Sequence, residues 1–280
     1  MIDISTSQGT IDWSEVKAAG IMGVIIKASE GSSHSSSREE YFAANAAQAR
    51  ANGILIGAYH FFRANEDATT QAAVFRQVLE AAGVPMDLSP TLDVETNDGE
   101  AADDVSIAAF DCLNQMESDF GRKPILYTYA DFANNYLEPE LLSTFPLWIA
   151  SYGDDALTSP GVPPYQPVMP DGWSSYALFQ YSDRGRVSGI GTDVDLDLFW
   201  GSREELQALG LPVPYPGYVL CYQGSQNREE DVKRVQKRLG VQETGVYGMT
   251  TACTVFTFQG RNGIGQTGEV GSETWGALFG

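Results

Sequence analysis

In Thr91-Leu92-Asp93-Val94-Glu95-Thr96, apolar and acidic residues alternate with the two-residue period of a strand. Leu92 and Val94 share one face, and Asp93 and Glu95 share the other. At the C-terminal end of a barrel strand the acidic face looks into the mouth, where sites of that fold sit. Outward from this stretch, the first 200 residues keep alternating short apolar runs with longer amphipathic ones, as repeated strand-helix units around a parallel sheet do. The runs predict eight strands: Ile2 to Ser5, Gly23 to Lys27, Ile54 to Phe62, Pro90 to Glu95, Ile125 to Tyr129, Leu147 to Ser151, Ala177 to Tyr181 and Val194 to Leu198. Helical periodicity fills Trp13 to Ala19, Glu39 to Ala51, Asp67 to Ala82 and Asp104 to Phe120, and the later gaps are shorter and poorer in helix.

Eight parallel-type strands fit a barrel, and an open doubly wound sheet shares the early pattern. The Gly-rich turn that a dinucleotide fold carries after its first strand is absent, because Ser5 is followed by Thr6-Ser7-Gln8-Gly9-Thr10. The expected fold is therefore α/β, a TIM-like (β/α) barrel with reduced late helices, joined to a small α-helical C-terminal domain. The stretch LGLPVPYPG from Leu209 holds three prolines and continues neither a helix nor a central strand. It sets the expected division: a barrel over 1–206, a linker over 207–218 and a small domain over 219–280. In that domain Glu229 to Leu239 reads as an amphipathic helix. A short element recurs with an offset of 23 residues, TGVYGMTT from Thr244 and TGEVGSET from Thr267.

The net charge of -20 belongs to the large domain, since the chain from Pro216 onward carries six bases and six acids. Such a surface repels nucleic acid and presents no obstacle to an uncharged or zwitterionic polymer. No apolar run is long enough to span a membrane, so no membrane insertion is expected, and the N-terminus lacks the basic and apolar regions of a signal peptide. Cys112, Cys221 and Cys253 form no C-x-x-C pair and read as free thiols, with a Cys221 to Cys253 bridge as the alternative.

Two carboxyls on one strand face suit glycoside hydrolysis, in which one acid donates a proton to the leaving oxygen while a second group stabilises the positive centre. Asp3 on the first strand and Asp195 on the last would join them at the mouth. Asp193 and Asp197 share the parity of Asp195, so pattern alone does not choose among the three. Tyr59, Phe61, Tyr127, Tyr129, Trp148, Tyr152 and Tyr181 crowd the same strand ends, most of them expected in the core and a minority in a sugar-binding cleft. Tyr59, Phe61, Tyr127 and Trp148 are the candidates, with Gln180 as a partner for a sugar hydroxyl or acetamido group. His34 lies in a serine-rich loop, and His60 points away from Tyr59 and Phe61. Neither histidine has a partner at metal-ligand spacing, and no metal or cofactor is expected. No G-x-S-x-G is present to support serine chemistry.

Several separated stretches together resemble glycoside hydrolase family 25, the Chalaropsis-type lysozymes. They are DISTSQGTIDW from Asp3, IIKASEG from Ile25, IGAYHFF from Ile56, TLDVET from Thr91, PILYT from Pro124, PLWIASYG from Pro146, FQYS from Phe179 and VDLDLF from Val194. The resemblance implies N-acetylmuramidase activity on the β-1,4 bond between N-acetylmuramic acid and N-acetylglucosamine of bacterial peptidoglycan. It also implies a barrel whose last units lose their helices. Glu95 matches the general acid and Asp93 its partner, Asp3 matches a further mouth carboxylate, and the VDLD context selects Asp195. Ser151 departs from the family, which often has a base after WIA. Family 18 chitinases also end a motif in D-x-E, but Leu88 and Thr91 stand here where their earlier acids would be. The last 60 residues are similar to short helical peptidoglycan-binding modules through Val232 to Leu239 and Gly271 to Leu278. With no signal peptide visible, the expectation is an endolysin of bacteriophage type, made in the host cytoplasm and released to the wall by a separate holin-like protein. The alternatives are an exported autolysin and an inactive glycan-binding barrel.

Overall fold

The computed structural model describes residues 1–153 and 157–279, which form two compact units, Met1–Leu211 and Pro212–Gly280. In the first unit eight strands close a barrel in sequence order: β1 (Ile2–Ile4), β2 (Gly23–Glu30), β3 (Leu55–Phe61), β4 (Thr91–Asp93), β5 (Ile125–Tyr129), β6 (Leu147–Ala150), β7 (Leu178–Gly185) and β8 (Val194–Phe199). Helices α1 (Trp13–Ala18), α2 (Ser36–Ala51), α3 (Ala68–Ala82) and α4 (Ala102–Phe120) follow the first four strands. Asp12 caps α1 by accepting from the amides of Ser14 and Glu15, and Asp67 caps α3 through the amide of Thr70. After β5 come only α5 (Ala130–Tyr136) and the single turn α6 (Pro139–Leu142), and no helix follows β6 or β7 among the described residues.

The strand alternation read from sequence sorts the side chains into two layers. Ile2, Ile4, Val24, Ile26, Leu92 and Val94 pack outward against the helices, in one core with Phe42, Phe75 and Leu113. Ile25, Leu55, Ile125 and Leu178 point inward and form an apolar floor together with Leu206 of α7 (Arg203–Ala208). Burying such side chains contributes roughly 1.5–3 kcal/mol apiece and fixes strand register, because a one-residue slip would exchange the layers.

Two expectations are corrected. The first seven strands run parallel, but β8 is antiparallel to both β7 and β1. Only residues 186–193 separate β7 from β8, and a parallel return needs a crossover of a dozen residues or more. The paired part of β4 is also shorter than expected and ends at Asp93, although the amide of Val94 still donates to the carbonyl of Tyr127 at 3.0 Å. Glu95 thus stands just beyond the ladder, on the rim.

The proline-rich stretch divides between the units. Leu209 packs with the barrel floor, and its carbonyl accepts from Ser89 Oγ at 2.7 Å and Arg122 Nη2 at 2.6 Å. Gly210 has φ of 76°, and a Cβ there would lie 2.2 Å from the carbonyl oxygen of Lys123, so glycine is required. Val213 and Tyr215 pack with the second unit, whose helices are α8 (Glu229–Arg238), α9 (Met249–Arg261) and α10 (Ser272–Phe279). The recurring sequence element is a recurring clasp. Gln236 Nε2 donates to Thr244 Oγ1, the carbonyl of Val246 and Thr251 Oγ1. Gln259 Nε2 donates to Thr267 Oγ1, the carbonyl of Glu269 and Thr274 Oγ1, each partner 23 residues later in the sequence. Cys112, Cys221 and Cys253 are all free.

Candidate active site

The mouth of the barrel is a cleft of about 320 Å³ that brings together Asp3, Asp93, Glu95 and Asp195, one acid from the end of each of β1, β4 and β8 and one from the rim after β4. Because β8 runs antiparallel, its first residues lie at the mouth, and Asp195 pairs directly with Asp3. Direction of pairing therefore separates the three acids that sequence parity left together. Asp193 precedes the strand, is exposed and pairs with Arg186 at 2.6 Å. Asp197 lies two residues deeper, where its Oδ1 accepts from Trp148 Nε1 at 3.0 Å.

Burial dominates the electrostatics. It raises Asp93 well above the usual carboxylate range, with the charge of Glu95 adding to the effect and Lys27 opposing it. Burial also raises Glu95, again against the pull of Lys27. Asp3 is held well above its ordinary value by burial and then by Asp195 and Asp197. Burial, followed by the charge of Asp183, pushes Asp195 up to about 6, while a hydrogen bond with Asp3 draws it back. Close acids in a low-dielectric mouth oppose one another's ionisation, and all four shifts run upward. Glu95 is half-buried with access to the cleft. Asp93 is buried, and its Oδ1 has no hydrogen-bond partner among the described residues.

Of the seven rings near the strand ends, the candidates Tyr59, Phe61, Tyr127 and Trp148 line the cleft, and Tyr152 lines it with them. The rings of Tyr127 and Trp148 meet edge to face at 4.8 Å. Tyr181 instead faces outward into the helix-side core. His60 is buried outside the barrel between Ser29 Oγ at 2.7 Å and Gln71 Oε1 at 3.1 Å, and burial pushes it down to about 4, so it is neutral and structural. Gln180 lines the cleft, and its amide bonds three protein side chains.

Sequence reasoning passed over Lys27. It faces the cleft, with Nζ 4.2 Å from the Phe61 ring centre and 2.9 Å from Glu30. Its signal was available, since a lysine with the inward parity of Ile25 interrupts an otherwise apolar buried strand.

A half-buried acid whose affinity for its proton is raised, beside a buried carboxyl and among flat rings that can seat a pyranose, fits what cleavage of a glycosidic bond requires, which makes the class a glycoside hydrolase. Residues 2–190 match the family described as glycosyl hydrolases family 25, and residues 228–278 match a putative peptidoglycan binding domain. The chain is 32% identical to the autolytic lysozyme of Clostridium acetobutylicum over 282 aligned residues, covering 99% of this chain and 77% of that protein. Among solved structures, the bacterial lysozyme from Streptomyces coelicolor superposes with a TM-score of 0.62 at 31% identity, over 75% of this chain and 95% of the other. The CTP1L endolysin does so with a TM-score of 0.60 at 25% identity, over 86% of this chain and 79% of the other. The chain belongs to glycosyl hydrolases family 25.

Proposed function

We propose that the protein is an N-acetylmuramidase that cuts the β-1,4 bond between N-acetylmuramic acid and N-acetylglucosamine in bacterial peptidoglycan, with Glu95 as general acid. One observation carries the division of roles: Asp93 is buried and presents an oxygen with no hydrogen-bond partner among the described residues, whereas the half-buried Glu95 reaches the cleft from the rim. Glu95 gives its proton to the leaving glycosidic oxygen as the bond to the anomeric carbon breaks. The substrate's acetamido oxygen closes on that carbon, and the ionised form of Asp93, which the charge of Lys27 favours, accepts a hydrogen bond from the acetamido N–H and stabilises the positive charge. Water then opens the intermediate, returning its proton to Glu95. Asp3 and Asp195 complete the mouth, and Tyr59, Phe61, Tyr127 and Trp148 form the walls against which the sugars pack.

The 228–278 module supports tethering to the polymer, which raises local substrate concentration without a new catalytic contact. Likeness to an endolysin over 86% of the chain supports a bacteriophage lysis role, in which a separate holin-like membrane protein lets the chain pass from the host cytoplasm to the wall. Cells expressing the chain should then lyse only when such a protein is co-expressed.

The activity is tested by incubating purified walls with wild type, Glu95→Gln and Asp93→Asn and identifying new reducing ends by mass spectrometry. Reducing muramic acid ends from wild type, lost in Glu95→Gln, are expected. Reducing glucosamine ends, released peptides or full activity in Glu95→Gln would refute the proposal.

A further inference from the structure

Gln180 is 3% exposed on β7, and its amide is committed at both ends. Oε1 accepts from the hydroxyls of Tyr127 at 2.8 Å and Tyr152 at 2.6 Å, which fills both lone pairs, while Nε2 donates to Asp3 Oδ2 at 2.7 Å. Turning the amide over would set an oxygen against the Asp3 carboxyl. Asp3 in turn stands directly across the β1–β8 pairing from Asp195, and both carboxyls line the cleft. Two carboxyls that face each other in a buried mouth disfavour ionising together, and sharing one proton relieves the repulsion.

We propose that Gln180 is a positioning residue for hydrolysis: its amide holds Asp3 as an acceptor from one side, so that the Asp3–Asp195 pair keeps a single proton and a single negative charge. In the closed eight-stranded barrel β8 stands opposite β4, so this charge faces Glu95 across the mouth. Like charges on one cleft repel, so this charge favours the form of Glu95 that keeps the proton it must donate. The inference rests on the muramidase reading. It also differs from a role for Gln180 as acceptor from a sugar hydroxyl or N–H, since the amide's acceptor positions are filled before any substrate arrives. The other groups facing Asp3 are Asp197 from β8, Asp93 from β4, Tyr59 from β3 and Tyr127 from β5, with Tyr152 beyond β6 and Lys27 of β2 in the same cleft.

The test measures kcat and KM against pH on purified walls for wild type, Gln180→Leu and Gln180→Glu, with melting curves for each. Leucine removes the donor that favours the charged pair, so a second proton binds more easily. The acid limb of the profile should rise by about one pH unit and kcat fall about tenfold, with KM within threefold. A glutamic acid side chain, while protonated, still donates to Asp3 and accepts from the tyrosines. Gln180→Glu should therefore follow wild type at acid pH and lose activity as the new group ionises. A raised KM with unchanged kcat in Gln180→Leu would make Gln180 a substrate contact and overturn the proposal, as would profiles that superimpose on wild type with only a lower Tm. Absence of reducing muramic acid ends from wild type would instead defeat the muramidase reading itself.

Discussion

Asparagine at position 197 is expected to stabilise the barrel at neutral pH, by an amount that grows with pH. Asp197 is 2% exposed, accepts from Trp148 Nε1 through Oδ1, and has no partner for Oδ2 among the described residues. Burial pushes its pKa from 3.8 up to about 8, against the pull of the N-terminal ammonium. An acid whose folded-state pKa lies above its unfolded value binds more protons when folded, so ionisation opposes folding. The barrel keeps its full stability with respect to this group below about pH 4 and loses it progressively as the pH rises towards 8. Between 3.8 and neutral pH, at about 1.36 kcal/mol per unit, the loss comes to about 4 kcal/mol.

Asp197→Asn retains an acceptor for the indole and cannot ionise. Its N–H group takes the place of Oδ2, where no acceptor waits, at a cost of about 1–3 kcal/mol. The net expectation is a gain of about 1–3 kcal/mol at pH 7 that turns into a loss of about 1–3 kcal/mol at pH 4, where only the unpaired N–H remains. Urea denaturation of the full chain at a series of pH values from 4 to 8, with the barrel transition followed by near-ultraviolet circular dichroism, reads the difference directly. A gap between variant and wild type that stays constant with pH would refute the reasoning, because only an ionisable Asp197 makes it change.

Glu95→Gln should lower kcat about a thousandfold while KM stays within threefold, read by reducing ends on purified walls, since it removes the proton and keeps the shape. His60 is a base pushed down to about 4 by burial, so the folded chain binds fewer protons there and stability falls as pH drops from 6.5 towards 4. That loss is about 3 kcal/mol, and His60→Gln should flatten the slope of folding free energy over this window in urea titrations. Gln259→Leu leaves the amide of Thr267 and the buried amide of Gly268 without their acceptor at 2.9 and 2.8 Å. It should abolish the small unit's calorimetric transition while hydrolysis of a short soluble glycan persists, at a cost of about 3–5 kcal/mol to that unit.

Alternation in the sequence says which face of the sheet a residue occupies, and that was enough to separate Leu92 and Val94, under the helices, from Asp93 and Glu95, in the mouth. It says nothing about depth along the barrel axis, which is set by strand direction and register. Asp193, Asp195 and Asp197 share one parity, yet the first lies outside on the hairpin, the second in the mouth and the third beneath it. The length of the connection held the missing information, since residues 186–193 can make a hairpin and cannot make a crossover. Once β8 is known to run antiparallel, its earliest inward acid must be the one at the rim, and Asp195 follows without appeal to relatives. The hydrogen-bonded chain from Tyr127 and Tyr152 through Gln180 to Asp3 was not legible in the same way. It joins residues 177 positions apart in sequence, and a glutamine that contacts sugar and one that orients a carboxylate occupy the same inward place on a strand. What distinguishes them is whether the amide's lone pairs are already filled, and that depends on two hydroxyls from different elements meeting at one oxygen.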